Sequence, residues 1–376
     1  MPALLPHPDP DGLLEYSVVY NDRALNHMSL RFQGVMKDIS RVLKKVYNAP
    51  SAAIVPGSGT FGMEAIARQF ATGRKALVVR NGFFSYRWTQ IFEAGQIPAE
   101  SLVLKARPAR EGAQAPFVPP PVEEVVDAIR RQRPAVVFAP HVETASGMIL
   151  PDGYLRAVGA ATREVDGLFV LDCVASGTVW VDTQENNVDV LLTAPQKGWS
   201  APPCGALIAL GARARERIES TASTSFACDL KKWLQIMEAF EKGGHAYHAT
   251  MPTDALAALR DVMLEAERHG FDKVRAEQWE LGRRVRGLLE ARGFPSVAAE
   301  GFQAPGVVVS YTADPDIQSG RKFIAAGLQT ASGVPLQCDE PADFRTFRLG
   351  LFGLDKLHDP ERTVASLARA LDDIAR

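Results

Sequence analysis

The chain of 376 residues is 46% hydrophobic and 23% charged, a globular composition that excludes an extensively disordered protein. Its 42 basic and 44 acidic side chains leave a net charge of −2, so nothing in the charge balance points to nucleic acid or an anionic membrane as partner. The length exceeds one ordinary core and predicts two domains.

In chain order, "MPALLPHPDPDGLLEY" places prolines where a signal peptide needs an apolar core, and no later span is long and apolar enough to cross a bilayer. The expectation is a soluble, cytoplasmic protein with residues 1–21 as an N-terminal arm. From "SAAIV" onward, short strand-like runs alternate with helix-like ones: "TFGMEAIARQFA", "KALVV", "FSYRWTQIFEAG" and "SLVLKA". After the connector "APFVPPP" come "VEEVVDAIRRQ", "AVVFAP", "YLRAVGAATREV" and "GLFVLDCVA". Strands that are apolar throughout, regularly interleaved with helices, predict a mostly parallel α/β sheet covered on both faces. Residues 22–250 are read as this large domain. From 251 the character changes to long amphipathic helices, then "GVVVSY" and "FRTFRLGLF", then "DPERTVASLARALDDIA" with Asp359 as N-cap and Pro360 in the first turn. Residues 251–376 are read as a smaller α+β domain, which the N-terminal arm joins unless it serves the partner of a dimer. Cys173, Cys204, Cys228 and Cys338 are widely spaced without a CxxC pair, which predicts free thiols in a reducing compartment and no metal site.

The segment "DVLLTAPQKGWSAPPCGALIAL", Asp189 to Leu210, sets Lys197 in a loop between two apolar runs. A buried ammonium is costly unless it is neutralised or used covalently. Upstream, "IVPGSGTFGMEA" puts glycines between a strand and a helix start, where unspent N–H groups and the helix dipole favour an anion. Gly57, Gly59 and Gly62 also satisfy the dinucleotide pattern GxGxxG, but the next strand ends in Arg80 and Asn81 rather than a ribose-binding acid, so at most a 2′-phosphate is accommodated. Asp172 closes the strand "GLFVLDCVAS", at the end where ligands gather in open α/β sheets. A lysine that forms a Schiff base with an aldehyde, a carboxylate for a pyridinium nitrogen and an anion-binding helix start together fit pyridoxal 5′-phosphate.

With these parts in view, the chain resembles the class V, fold-type I aminotransferases, and most closely the alanine/serine–glyoxylate aminotransferases. The anchors are "PGSGTFGMEA", "NGFFSYRW", "HVETASG", "LDCVASG", "APQKGWSAPP", "YHATMP" and "FRLGLFG", in the family's order. The resemblance implies an α/β fold with a mostly parallel sheet sandwiched by helices and a smaller C-terminal α+β domain. It also implies Ser58, Gly59, Thr60 and Gln196 at the cofactor phosphate, Phe84 stacked on the ring, Thr144 near the ring hydroxyl, Asp172 at the ring nitrogen and Lys197 at the aldehyde. Tyr247 and Thr250 would reach the phosphate of a neighbouring subunit, which implies a homodimer with shared sites. Arg348 would grip the substrate carboxylate through its planar fork. The implied reaction is ping-pong transamination between a small amino acid and a 2-oxo acid such as glyoxylate or pyruvate, with Lys197 and Asp172 catalytic.

Departures from the family pattern are Pro195 before Gln196, a long approach "QTASGVPLQCDEPADFRT" expected over the mouth of the site, and "LNHMSLRF", which matches too loosely to assign Asn26 or His27 a role. His141 and Glu143 read equally as supports of the site or as loop polar residues. Cys173 reads as buried rather than catalytic. Rival readings are another pyridoxal phosphate chemistry on the same fold, a cysteine desulfurase with Cys338 in a mobile loop or a lyase; an NADP-dependent reductase; and a cofactor-free binding protein.

Overall fold

The computed structural model describes residues 6–374. Its centre is a seven-stranded sheet built from Ser51–Pro56 (β1), Lys75–Arg80 (β2), Glu100–Lys105 (β3), Val136–Pro140 (β4), Leu168–Asp172 (β5), Val190–Thr193 (β6) and Gly205–Leu210 (β7). The spatial order is β1-β7-β6-β5-β4-β2-β3. Every pairing from β6 to β3 is parallel, whereas β7 runs antiparallel to both β6 and β1. The expected mostly parallel sheet is therefore observed. The exception has a local cause: the loop from β6 to β7 holds no helix, and a chain that returns without a crossover must pair antiparallel.

The strands β4, β5, β6 and β7 are buried along their whole length, which is why they read as unbroken apolar runs. Helices cover the sheet. Among them, Leu30–Val46 (α1) was not singled out in the sequence; Ser29 caps it by accepting from the Phe32 N–H, and its stripe of Phe32, Val35, Met36, Ile39 and Leu43 is buried. Gly59–Phe70 (α2) and Phe83–Gly95 (α3) follow β1 and β2 directly, so both start at the carboxyl edge of the sheet.

In the last third, Val307–Tyr311 (β8), Ala331–Ser332 (β9) and Thr346–Gly350 (β10) form a separate antiparallel sheet in the order β8-β10-β9. The closing helix Pro360–Ile374 begins as expected, with the Arg362 N–H donating to the Asp359 carboxylate at 3.0 Å. No helix among the described residues is long and apolar enough to cross a membrane. All four cysteines are free and buried.

Candidate active site

Strands that point the same way deliver their carboxyl ends to one edge, and there the chain builds a cavity of about 250 Å³. Ser58, Gly59, Thr60, Phe84, Thr144, Asp172, Gln196 and Lys197 all line it. Eight of the positions named from sequence, from five separated segments, thus converge on one space.

The glycine turn after β1 opens with Gly57 at φ 122°, a left-handed conformation that side-chain-bearing residues avoid. This turn aims the start of α2 at the cavity. Ser58 is the N-cap but its hydroxyl makes no capping bond. Phe61 and Gly62 donate to the Ser58 carbonyl, while no protein acceptor among the described residues takes the N–H of Gly59 or Thr60. The result is an open set of donors at a helix start, the arrangement that binds an anion.

Asp172 ends β5 and is buried. One carboxylate oxygen accepts the Val174 N–H at 2.9 Å, and no other donor among the described residues bonds to the carboxylate. Burial pushes its pKa up to about 6, against the opposing pull of the Val174 N–H and the Lys197 charge. Lys197 stands 5.8 Å from the ring centres of both Phe84 and Phe352. Burial lowers its pKa, opposed by the charges of Asp172 and Glu143. The two groups therefore sit in a dry site that disfavours charge on either, which is the condition for an amine that reacts rather than being solvated. Thr144 supplies a further diagnostic. Its hydroxyl is buried and finds no hydrogen-bond partner among the described residues, and the residue itself lines this cavity. Such an orphan requires a polar partner, and a ring hydroxyl provides one. Open helix donors, a lone strand-end carboxylate, a desolvated amine and an orphan hydroxyl fit pyridoxal phosphate.

Arg348 lies on β10, in the second sheet, and comes within 5.5 Å of the Phe84 ring centre. Its Nε donates to the Ser332 carbonyl at 2.8 Å, which fixes the guanidinium and leaves its two terminal nitrogens without an acceptor among the described residues. Burial lowers its pKa and the Glu143 charge opposes this. Tyr247 and Thr250 lie outside the cavity; they are exposed and bonded to each other at 3.1 Å. Gln196 lines the cavity from an exposed position.

Three positions left open by sequence are decided by the fold. Glu143 is fully buried and accepts four bonds: from the N–H of Phe84 at 3.2 Å, of Ser85 at 2.8 Å and of Ala145 at 2.9 Å, and from the Ser85 hydroxyl at 2.7 Å. A carboxylate at the first turn of α3 satisfies its donors and its dipole. A Cβ on Gly82 would lie 2.7 Å from Glu143 Cγ, so only glycine permits this approach. His141 is buried, bonded through Nδ1 to Ser176 at 2.7 Å, and burial lowers its pKa to about 3, so it is neutral. His27 is buried beside Tyr20, His245 and Tyr247, with Nδ1 unpartnered. Sequence reasoning missed Arg87, which also lines the cavity. The available signal was its place three residues after Phe84, hence on the same face of α3.

The segment before Arg348 is fastened to the carboxyl edge of the sheet. Cys338 is not in a mobile loop: it is buried, its Sγ donates to the Arg80 carbonyl at 3.4 Å, and Glu340 accepts the N–H groups of Leu336, Gln337 and Cys338. Lys105 pairs with Asp339 at 2.7 Å, which ties the segment to the carboxyl ends of β2 and β3. Arg80 is buried as well, its two terminal nitrogens donate to Thr89 and the Gln337 carbonyl, and its unpartnered Nε is out of reach of solvent, so the 2′-phosphate reading has no exposed guanidinium to rest on.

No protein-family model matches the chain. It is 25% identical over 338 residues to alanine–glyoxylate aminotransferase 1 of Saccharomyces cerevisiae, covering 82% of this chain and 84% of the yeast protein. It is 26% identical over 272 residues to the L-aspartate–glyoxylate aminotransferase of Paracoccus denitrificans, covering 72% of this chain and 66% of that one. Its structure superposes on the alanine–glyoxylate aminotransferase of a Nostoc species with a TM-score of 0.79 at 22% identity, over 94% of this chain and 89% of the other. The chain therefore has the fold of the fold-type I aminotransferases and resembles the glyoxylate-using members in sequence.

Proposed function

We propose that this chain is a pyridoxal 5′-phosphate-dependent aminotransferase that moves the amino group of a small amino acid, such as alanine, serine or aspartate, to glyoxylate or a similar 2-oxo acid. The observation that carries this reading is the convergence of Asp172, Lys197, the orphan hydroxyl of Thr144 and the open start of α2 on one cavity. When bound, the cofactor supplies an aldehyde for amines and a cationic ring that takes up the electron pair released at the substrate Cα.

The protein's own part follows from its residues. Ser58, Gly59, Thr60 and Gln196 would hold the phosphate, Phe84 would cover the ring, and Thr144 would satisfy the ring hydroxyl. Asp172 keeps a proton on the ring nitrogen, a task for a buried carboxylate with one free oxygen. Lys197, whose pKa burial lowers, would be the base that moves the proton from the donor Cα to the cofactor carbon in the first half-reaction and from that carbon to the acceptor Cα in the second. Arg348 grips the substrate carboxylate through the two nitrogens that the protein leaves free. The enzyme is a cytoplasmic homodimer, in which Tyr247 and Thr250 of one protomer meet the cofactor phosphate of the other. Its support is their exposure and that of Leu13, Leu14, Tyr16 and Val18 in the arm. Residues 22–250 form the cofactor domain and 251–376 the small domain that carries Arg348. The buried, pinned Cys338 speaks against a desulfurase.

The experiment is a visible spectrum of the purified chain, followed by single half-reactions with alanine, serine and aspartate. A yellow protein whose band shifts with one of these, and recovers with glyoxylate, supports the proposal. Replacement Lys197→Ala should abolish turnover while cofactor stays bound, and full activity in that variant would end it.

A further inference from the structure

Resting on the reading that the cavity takes pyridoxal phosphate, we infer that Arg87 is a phosphate-binding residue of the cofactor site, supplying the fixed positive charge that the helix start lacks. Its terminal nitrogen donates to the Thr60 hydroxyl at 3.0 Å, so the guanidinium is held against the first turn of α2, beside the open donors of Gly59 and Thr60. That bond is the only one Arg87 makes to protein among the described residues, and no carboxylate pairs with it. A half-buried guanidinium with most of its five donors unspent, lining a cavity, is an anion site awaiting its anion.

The charge inventory says which anion. Among the described residues, Lys197 and Arg87 are the only cations lining the cavity. The lysine amine is committed to the aldehyde, so it is not available to the phosphate. A phosphate monoester carries about −1.5 to −2 charge at neutral pH, more than the partial charge of about +0.5 at a helix start offsets. Arg348 cannot serve, because its Nε is fixed to Ser332 on the second sheet. The two guanidiniums approach the Phe84 ring to 5.1 and 5.5 Å from different elements, Arg87 from α3 and Arg348 from β10. Arg87 is attached to the Thr60 end, which is the phosphate end.

The test compares pyridoxal phosphate with pyridoxal, which lacks the phosphate, as ligands of the cofactor-free full chain, followed by quenching of tryptophan fluorescence and by the visible band. Arg87→Gln should weaken pyridoxal phosphate binding about 10- to 100-fold, the value of a hydrogen-bonded charge, while pyridoxal binding changes less than about twofold. Arg87→Lys should fall between Arg87→Gln and wild type. Equal loss of both ligands in Arg87→Gln would mean that the residue only supports the fold and would overturn the inference. So would unchanged pyridoxal phosphate affinity with a raised KM for the amino acid, since Arg87 would then face substrate. A wild-type chain that binds neither ligand would instead remove the functional reading itself.

Discussion

Asp172→Asn should make the cofactor-free protein more stable and the loaded enzyme far less active, and the two effects should separate with pH. In the fold the carboxyl has a pKa of about 6 against an ordinary 3.8, because burial outweighs the Val174 N–H and the Lys197 charge. A folded-state pKa above the unfolded one means that the native state binds its proton more tightly. The aspartate therefore costs nothing below the unfolded value, and the cost grows as pH rises between the two values and is complete above about 6. A difference of about two pKa units corresponds to roughly 3 kcal/mol, an order-of-magnitude figure. Asparagine keeps an oxygen for the Val174 N–H and carries no charge to desolvate. Scanning calorimetry of the cofactor-free proteins should therefore give equal Tm values near pH 3.5. At pH 8 the variant should melt roughly 3–6 °C higher. Turnover of the loaded variant should fall about 10²–10³-fold, the usual cost of removing one preorganised electrostatic partner. An asparagine variant that melts at or below wild type at pH 8 would show that the carboxylate is not under desolvation stress, and the electrostatic account of the site would fail with it.

Glu143→Ala strips the acceptor from four donors that stay buried, so it should destabilise the protein by about 1–3 kcal/mol or more; urea unfolding measures this, and a neutral result would contradict the account of how α3 is held. Replacement Arg348→Lys keeps the charge but loses the fork, and should raise KM for the amino acid more than it lowers kcat, read from steady-state kinetics on the best donor. Native cysteines should resist a disulfide reagent at pH 8, because burial pushes the pKa of Cys204 up to about 11 and that of Cys338 up to about 12; rapid labelling of Cys338 would reopen the desulfurase reading.

The parts of the site that follow a strand are legible in the sequence itself. A buried parallel strand reads as an apolar run, and the residues just beyond its end must stand at one edge of the sheet, so the glycine turn, Asp172 and Lys197 announce themselves. The family anchors then added Thr144 and Arg348, which no local pattern would have selected. What the sequence could not disclose depends on neighbours far apart in the chain. Glu143 meets Ser85 across 58 positions because β4 lies beside β2 in the sheet, and that order is a property of the packed whole. Arg87 acquires its place only when α3 is set against the start of α2. The segment around Cys338 looks like an idle loop until Lys105, Arg80 and Glu340 fasten it. Local chemistry chooses the residues that react. Tertiary packing chooses which buried charges stand beside them, because electrostatic cost and compensation act over distances in space that chain separation does not predict.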